Sequence, residues 1–387
     1  MNSPIRLDPR VRPHSWIDPE PVPGDLAPLH DHKLVHALLY RRGISRREEA
    51  VTFLEAQPRA VIDPGALPDF DAAVDRIATA VRADEKIGIF GDYDVDGTTS
   101  VAILGLALRA AGAGDRTLTR LPTRAEGYGL SGVAIDEFAD AGVQLLVALD
   151  CGSSDQGQIA YARALGMDVI VVDHHQMHHG QPDGALVVSA YREDGGVYKE
   201  LSAAGLTWLL VAGLEGAGLD VAPEGAEAYL DLVALGLIGD VSPMTGASRA
   251  LVRAGMARLS QSPRPGIVAL AHAAKLDLQR LGATDIAFRL APRINAAGRM
   301  GNPSLALDLL LAPNPVAAFE LVTELEAMNT RRKVATDETT TAAERLLRRQ
   351  HNWEEQPVLV VQSEGWQTGV VGIVAARLAE TYDRPVI

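Results

Sequence analysis

Short apolar runs separated by helical stretches recur through the first half of the chain, and this rhythm restricts the fold more than any other feature. Residues 87–90 (IGIF), 145–149 (LLVAL) and 168–172 (DVIVV) are too short for helices and show no polar alternation. They read as strands buried on both faces, with 186–189 as a fourth. A helical pattern at 69–81 precedes them, and others at 98–111, 131–140 and 154–165 lie between them. Such alternation builds a parallel sheet with helices on both faces, an α/β fold.

The residues that follow each strand carry the chemistry. After 87–90 come Asp92, Asp94 and Asp96, alternating before Gly97; after 145–149 comes Asp150, in LDCGSS; after 168–172 come Asp173, His174 and His175, in VVDHHQ. Open α/β sheets bind ligands beyond the carboxyl ends of their strands. A fourth acid, Asp240, ends the apolar helical run 230–238 in LGLIGDVSP, where Gly239 suits a helix stop. Alternate residues of an extended segment face the same way, so the carboxylates of GDYDVDG are expected to converge as they would on a strand. Crowded carboxylates raise one another's proton affinity, and a divalent cation relieves the repulsion. The rival metal reading is a calcium loop of the EF-hand type, which requires a glutamate at its twelfth position; here that position is Ile103. The bland reading is a solvated acidic turn. Asp92 stands between ligand, support for a ligand and turn former.

Asp94, Asp96, Asp150, His174 and Asp240 make a mixed carboxylate–imidazole set, which suits Mn²⁺ or Mg²⁺. Four carboxylates exceed the needs of one ion, so a pair of ions about 3.5–4 Å apart is the natural reading. Such a pair acidifies a bridging water and holds phosphoryl oxygens, which implies hydrolysis of a phosphoester or phosphoanhydride.

Composition narrows the setting. A chain of 387 residues should hold two or three domains. It has no apolar run of about 18 residues, and MNSPIRLDPRVRPHSW lacks an apolar signal core. A single cysteine, Cys151, excludes an internal disulfide and a cysteine zinc cluster, and a cytoplasmic setting follows as the default. Cys151 has no partner base at a recognisable spacing and reads as a small buried residue; His178 and His179 read as solvated loop residues. The net charge of −14 is the wrong sign for a nucleic-acid protein, so any such role must rest on metal ions and a confined basic patch.

Residues 1–65 read as a proline-rich N-terminal extension packed on the main domain, with helices near 31–39 and 46–54; residues 66–312 form that domain. Its later, helical part contains APRINAAGRMGNPS, in which Arg293 and Arg299 flank polar and small residues including Asn295. Residues 313–356 read as a long connector helix. Asn314 and Pro315 suit its cap and first turn, and no glycine or proline occurs in 316–356. Residues 357–387 open a second, smaller α/β domain, with strands at 358–361 and 385–387 around a helix at 369–379. That domain is expected to be incomplete in this chain. Gly369 and Gly372 are either packing glycines or part of a helix N-terminus whose free amides hold phosphate. Arg124, Tyr128 and Gly129, in PTRAEGYGL, are candidates to line the cleft.

Together, GDYDVDGTTS, LDCGSS, VVDHHQ and LGLIGDVSP resemble the four motifs of the DHH phosphoesterase superfamily. APRINAAGRMGNP, the connector and GWQTGVVGIVAARLAE resemble its RecJ branch, the single-strand-specific 5′→3′ DNA exonucleases of repair and recombination. The resemblance implies that Asp94, Asp96, Asp150, His174 and Asp240 bind two metal ions, with His175 on the scissile phosphate and Asp173 orienting a histidine. It implies that Arg293, Asn295 and the helix from Gly369 hold the DNA backbone, Arg299 and Gly372 belonging to the same two segments. It further implies single-stranded DNA as substrate, with a single-strand-binding protein or a helicase as candidate partner; a monomer is expected, and the lack of a long apolar run leads to the expectation of no membrane contact. Pyrophosphatases of this superfamily carry a histidine four residues before the first DxD aspartate; Phe90 stands here, which argues against that activity. The alternatives are a DHH phosphodiesterase for oligoribonucleotides or cyclic dinucleotides, and a non-catalytic module like the replication-helicase relatives. The latter have lost metal ligands, whereas every expected position is filled here.

Overall fold

The computed structural model describes residues 19–55, 57–177, 180–261 and 264–387, and the chain divides into two compact units, Met1–Ala56 and Gln57–Ile387. His178 and His179 lie outside the described residues, as does the start of the extension. In the first unit, α1 (Lys33–Tyr40) and α2 (Arg47–Glu55) close over a small core of Leu29, Leu39 and Ala50.

The second unit opens with the short α3 (Pro58–Val61) and α4 (Phe70–Arg82) and then winds a five-stranded sheet: β1 (Ile87–Gly91), β2 (Thr117–Arg120), β3 (Leu145–Leu149), β4 (Asp168–Asp173) and β5 (Ala185–Ser189). All pairings are parallel, in the order β2-β1-β3-β4-β5. The helices between strands are α5 (Val95–Leu108), α6 (Gly132–Asp140) and α7 (Gln156–Ala164). Because strand side chains alternate, Ile87, Ile89, Val147, Leu149, Ile170 and Val172 face one core, which α4 and α5 cover. Phe90, Leu146, Ala148, Val169 and Val171 face another, under α6 and α7. Both faces being apolar explains the unbroken hydrophobic runs. The α/β class read from them is what the structure shows.

After β5 the unit is helical: α8 (Ala203–Gly216), α9 (Leu230–Gly239), α10 (Gly246–Leu259), α11 (Pro265–Ala273), the single turn α12 (Ala283–Asp285), α13 (Ala291–Arg299), α14 (Ser304–Leu310), α15 (Pro315–Leu347) and α16 (Thr368–Tyr382). Asn314 caps α15, its Oδ1 accepting from the amides of Val316 (3.1 Å) and Ala317 (3.0 Å). The 33 residues of α15 span roughly 50 Å at the usual rise. A separate small core joins the end of α15 to α16 through Ala343, Leu347, Leu359, Val374 and Leu378.

Two readings need correction, and one strand is added. The helix after GDYDVDG begins at Val95 rather than near 98. The edge strand β2 follows from TLTR, too short and too polar to read as buried. The strands expected at 358–361 and 385–387 reduce to one parallel bridge, Leu359 with Val386, held by Leu359 N–H to Pro385 O (2.9 Å), Ile387 N–H to Leu359 O (2.8 Å) and Val361 N–H to Ile387 O (2.9 Å).

Candidate metal centre

In this strand order the chain reverses direction of winding between β1 and β3, and the crevice at their carboxyl ends is where an α/β sheet takes a ligand. Asp92, Asp94 and Asp96 follow β1 there, Asp150 follows β3, Asp173 ends β4 and His174 follows it.

The carboxylates of GDYDVDG do converge, but not by strand alternation. Asp94 is the N-cap of α5, its Oδ1 accepting from the amides of Asp96 (2.9 Å) and Gly97 (3.1 Å), and Asp96 lies in the first helical turn. Helix capping therefore aims these two side chains. Gly97 is needed for the tight approach: a Cβ there would sit 2.6 Å from the Asp92 amide nitrogen. Just after β3, Asp150 adopts the left-handed region (φ 63°), an uncommon backbone conformation for a non-glycine residue. Asp240 caps the C-terminus of α9, with its Oδ2 accepting from the Ser242 hydroxyl at 3.2 Å.

His174 sits among them. Its Nε2 is 3.1 Å from Asp150 Oδ1 and 3.8 Å from Asp96 Oδ2, and its Nδ1 is 3.9 Å from Asp240 Oδ2. Among the described residues, three groups have donor atoms within 4.8 Å of one another: Asp96, His174 and Asp240; Asp92, Asp94 and Asp150; and Asp150, His174 and His175. Asp150 is common to two of them. His175 is tied down by Asp173, whose Oδ1 lies 2.8 Å from His175 Nδ1 and accepts the His175 amide at 3.1 Å; Asp173 Oδ2 accepts from the Ser153 amide at 3.1 Å. The Tyr128 hydroxyl donates to the Asp150 carbonyl (3.0 Å) and lies 3.0 Å from His175 Nδ1.

The electrostatics are those of a site short of positive charge. Burial, then the Asp94 charge, pushes Asp92 up to about 7. Burial raises Asp96 to about 6 against the opposing pull of His174, and burial with the neighbouring Asp96 raises Asp150 well above the carboxylate range. Asp240 is raised by burial as well. Asp173 goes the other way: burial opposes its ionisation, but the bond to His175 prevails and lowers it, while that bond raises His175. Asp92 Oδ1 is buried without a hydrogen-bond partner, and the buried Asp150 Oδ1 has the His174 ring nitrogen beside it but no hydrogen bond. Buried oxygens of this kind, in an oxygen-rich set with one or two imidazoles, fit divalent Mn²⁺ or Mg²⁺.

Beside this acidic group lies a basic one. Arg124 stacks over the Tyr93 ring at 4.4 Å, and burial together with Arg124 and Arg332 lowers Arg299. Arg299 donates to the Gly369 carbonyl at 3.0 Å, tying α13 to α16. A Cβ on Gly369 would overlap the Arg299 carbonyl, so this glycine is a packing requirement at the start of α16. Gly372 faces open space one turn on. Arg293 reaches α15 and pairs with Glu326 at 2.5 Å, and Asn295 Oδ1 is buried without a partner. Cys151 is fully buried, and burial pushes its thiol well up, which suits an inert packing residue.

Sequence reasoning missed two supports. Ser202 donates to Asp96 Oδ1 at 2.6 Å, joined by amides of α8. Asp155 accepts from the Leu130 amide at 2.8 Å and so anchors the loop that carries Tyr128. Ser202 precedes an apolar helical run and reads as an ordinary cap; no local signal links it to a residue so far upstream.

The DHH family, N-terminal domain, matches residues 86–237. The chain is 35% identical to the single-stranded-DNA-specific exonuclease RecJ of Salmonella typhimurium, over 95% of this chain and 64% of that protein. It superposes on a crystal structure of exonuclease RecJ bound to manganese with a TM-score of 0.73 and 35% identity, covering 83% of this chain and 79% of that one. For the manganese complex of RecJ from Thermus thermophilus the TM-score is 0.76 at 33% identity, covering 91% and 49%. The chain thus spans between about half and two thirds of the length of the full RecJ proteins it matches. On the likeness of both sequence and fold, the chain belongs to the RecJ branch of the DHH family.

Proposed function

We propose that this chain is the catalytic part of a metal-dependent exonuclease that degrades single-stranded DNA from the 5′ end and releases 5′-mononucleotides, in DNA repair and recombination. The observation that carries the reading is the convergence of Asp92, Asp94, Asp96, Asp150, His174 and Asp240 at the carboxyl edge of the sheet, with the buried Asp92 Oδ1 left without a hydrogen-bond partner. Similarity at 35% to single-stranded-DNA exonucleases supports DNA over a short ribonucleotide substrate.

Asp96, His174 and Asp240 would hold one divalent ion and Asp94 with Asp92 the other, with Asp150 serving both. When bound, such ions supply an acidified water and neutralise charge on the phosphoryl oxygens. Asp173 holds the His175 ring by Nδ1, which leaves Nε2 to meet an oxygen of the scissile phosphate. Tyr128, fixed through the Asp150 carbonyl, limits the sideways movement of that ring. Arg124, Arg299 and the start of α16 form the side of the cleft that would take the DNA backbone. Residues 357–387 would open a second domain that completes this side, with α15 as the connector.

The test is product mapping on 5′-labelled and 3′-labelled single-stranded oligonucleotides with Mn²⁺, with Mg²⁺ and in chelator. Mononucleotides released from the 5′ end only with a metal are expected. Hydrolysis that persists in chelator, or that starts from the 3′ end, would overturn the proposal.

A further inference from the structure

Among the described residues proposed to hold an ion, Asp96 is the carboxylate with both oxygens engaged by protein donors. It is fully buried, as is Ser202. Oδ1 accepts the Ser202 hydroxyl (2.6 Å) and the Ala204 amide (3.1 Å), and Oδ2 accepts the Ala203 amide (2.8 Å). A carboxylate oxygen has two lone pairs. Oδ1 is therefore saturated, while Oδ2 keeps one free direction, and Oδ2 is the oxygen 3.8 Å from His174 Nε2. On the other side α9 presents Gly236, where a Cβ would come within 2.8 Å of Asp96 Oδ1 and 2.6 Å of Thr99 Oγ1. Ser202 stands at the N-cap position of α8 yet makes no bond to the amides of its own helix, because its hydroxyl is turned outward to Asp96. The carboxylate of Asp96 caps α8 instead, where the helix dipole favours a negative group.

We infer that Ser202 and the first turn of α8 form a clamp that lets Asp96 reach an ion through Oδ2 alone, which makes Ser202 a positioning residue for one metal of the pair. The inference rests on the two-metal reading above. Without the hydroxyl, Oδ1 regains a free direction and the carboxylate can turn about χ2, so the ion it serves loses a fixed ligand. The ion held by Asp94 and Asp150 keeps all of its donors. Partners of this kind, bonded to metal ligands, typically affect metal affinity by about 10–100-fold.

The experiment is titration of the chelated protein with Mn²⁺, followed by calorimetry and by the electron paramagnetic resonance of bound Mn²⁺. It compares wild type, Ser202→Ala, Ser202→Cys and Asp96→Asn, with Ser202→Ala also in the Asp96→Asn background. Ser202→Cys keeps the volume but is a weak donor, so it carries the test if Ser202→Ala fails to fold. One Mn²⁺ should bind about tenfold or more weakly in both serine variants while the other binds as in wild type. Ser202→Ala should add nothing in the Asp96→Asn background. Serine variants that bind both ions as wild type does, or losses that add in the double variant, would overturn the inference and leave the two-metal reading standing. Wild type taking up no Mn²⁺ would overturn that reading and the inference with it.

Discussion

Asp94 does two jobs that substitution can separate. One oxygen caps α5 and the side chain also faces Asp92 and Asp150. Asp94→Ala should lose both cap and ligand, whereas Asp94→Ser keeps an N-cap oxygen without the carboxylate. The two variants should therefore differ in stability by about 1 kcal/mol in metal-free thermal melts, with serine the more stable. Both should lose the proposed nuclease activity by orders of magnitude; full activity in Asp94→Ser would remove the carboxylate from the mechanism. The acid cluster also sets a pH dependence. In the folded protein Asp92 titrates near 7 and Asp96 near 6, and Asp150 is raised well above the usual range. Between pH 4 and 7 the folded state thus holds protons that the unfolded chain has released, so stability falls as pH rises through that window. His175, also raised, acts in the same direction just above its ordinary value, whereas Asp173, lowered, matters only in stronger acid. Chelated protein should melt at a lower temperature at pH 8 than at pH 6. Saturating Mn²⁺ should reduce or reverse that difference, because the ion binds the deprotonated carboxylates. A flat profile in chelator would show that burial at the sheet edge does not hold these acids protonated.

At the scale of elements, the strands that carry chemistry were legible because each is buried on both faces and followed by an acid or histidine. β2 was not, since an edge strand of four residues with two threonines and an arginine has no buried run to announce it. The convergence of Asp94 and Asp96 was legible, but its cause was not: sequence alternation suggests a strand, while capping had already begun the helix at Val95. Long-range support was invisible for a different reason. Ser202 and Asp96 meet only because α8 packs against α5, and no spacing in the sequence encodes that contact. The glycines of α16 read as either packing or phosphate-binding, and at Gly369 the geometry gives packing a definite form. Gly369→Ala should push the start of α16 away from the Arg299 carbonyl and break the Arg299–Gly369 bond, destabilising the protein by roughly 1–3 kcal/mol. Thermal melting checks this, and an unchanged midpoint would mean that the α13–α16 junction yields freely.

For the whole molecule, the difficulty is a net charge of −14 on a chain proposed to hold a polyanion. The charge is unevenly spread. The carboxylates at the sheet edge are those that metal ions would neutralise, and Arg124 and Arg332 lie close enough to Arg299 to add to the lowering that burial causes there. Binding of single-stranded DNA should then depend on a few local contacts, and each phosphate contact on a single strand contributes about 0.7 to the slope of log affinity against log salt. Arg124 is the cleanest probe, because it stacks on Tyr93 and its Nε is buried without a hydrogen-bond partner. Arg124→Gln, measured with Mn²⁺ present on a non-hydrolysable single strand, should weaken binding and flatten the slope by about 0.7. Arg163→Gln is the control, since Arg163 pairs with Asp168 at the first residue of β4, the opposite edge of the sheet. It should leave the slope unchanged. Equal flattening by both substitutions would mean that the DNA senses the net charge of the protein rather than a basic patch beside the acids, and the one-sided cleft would be wrong.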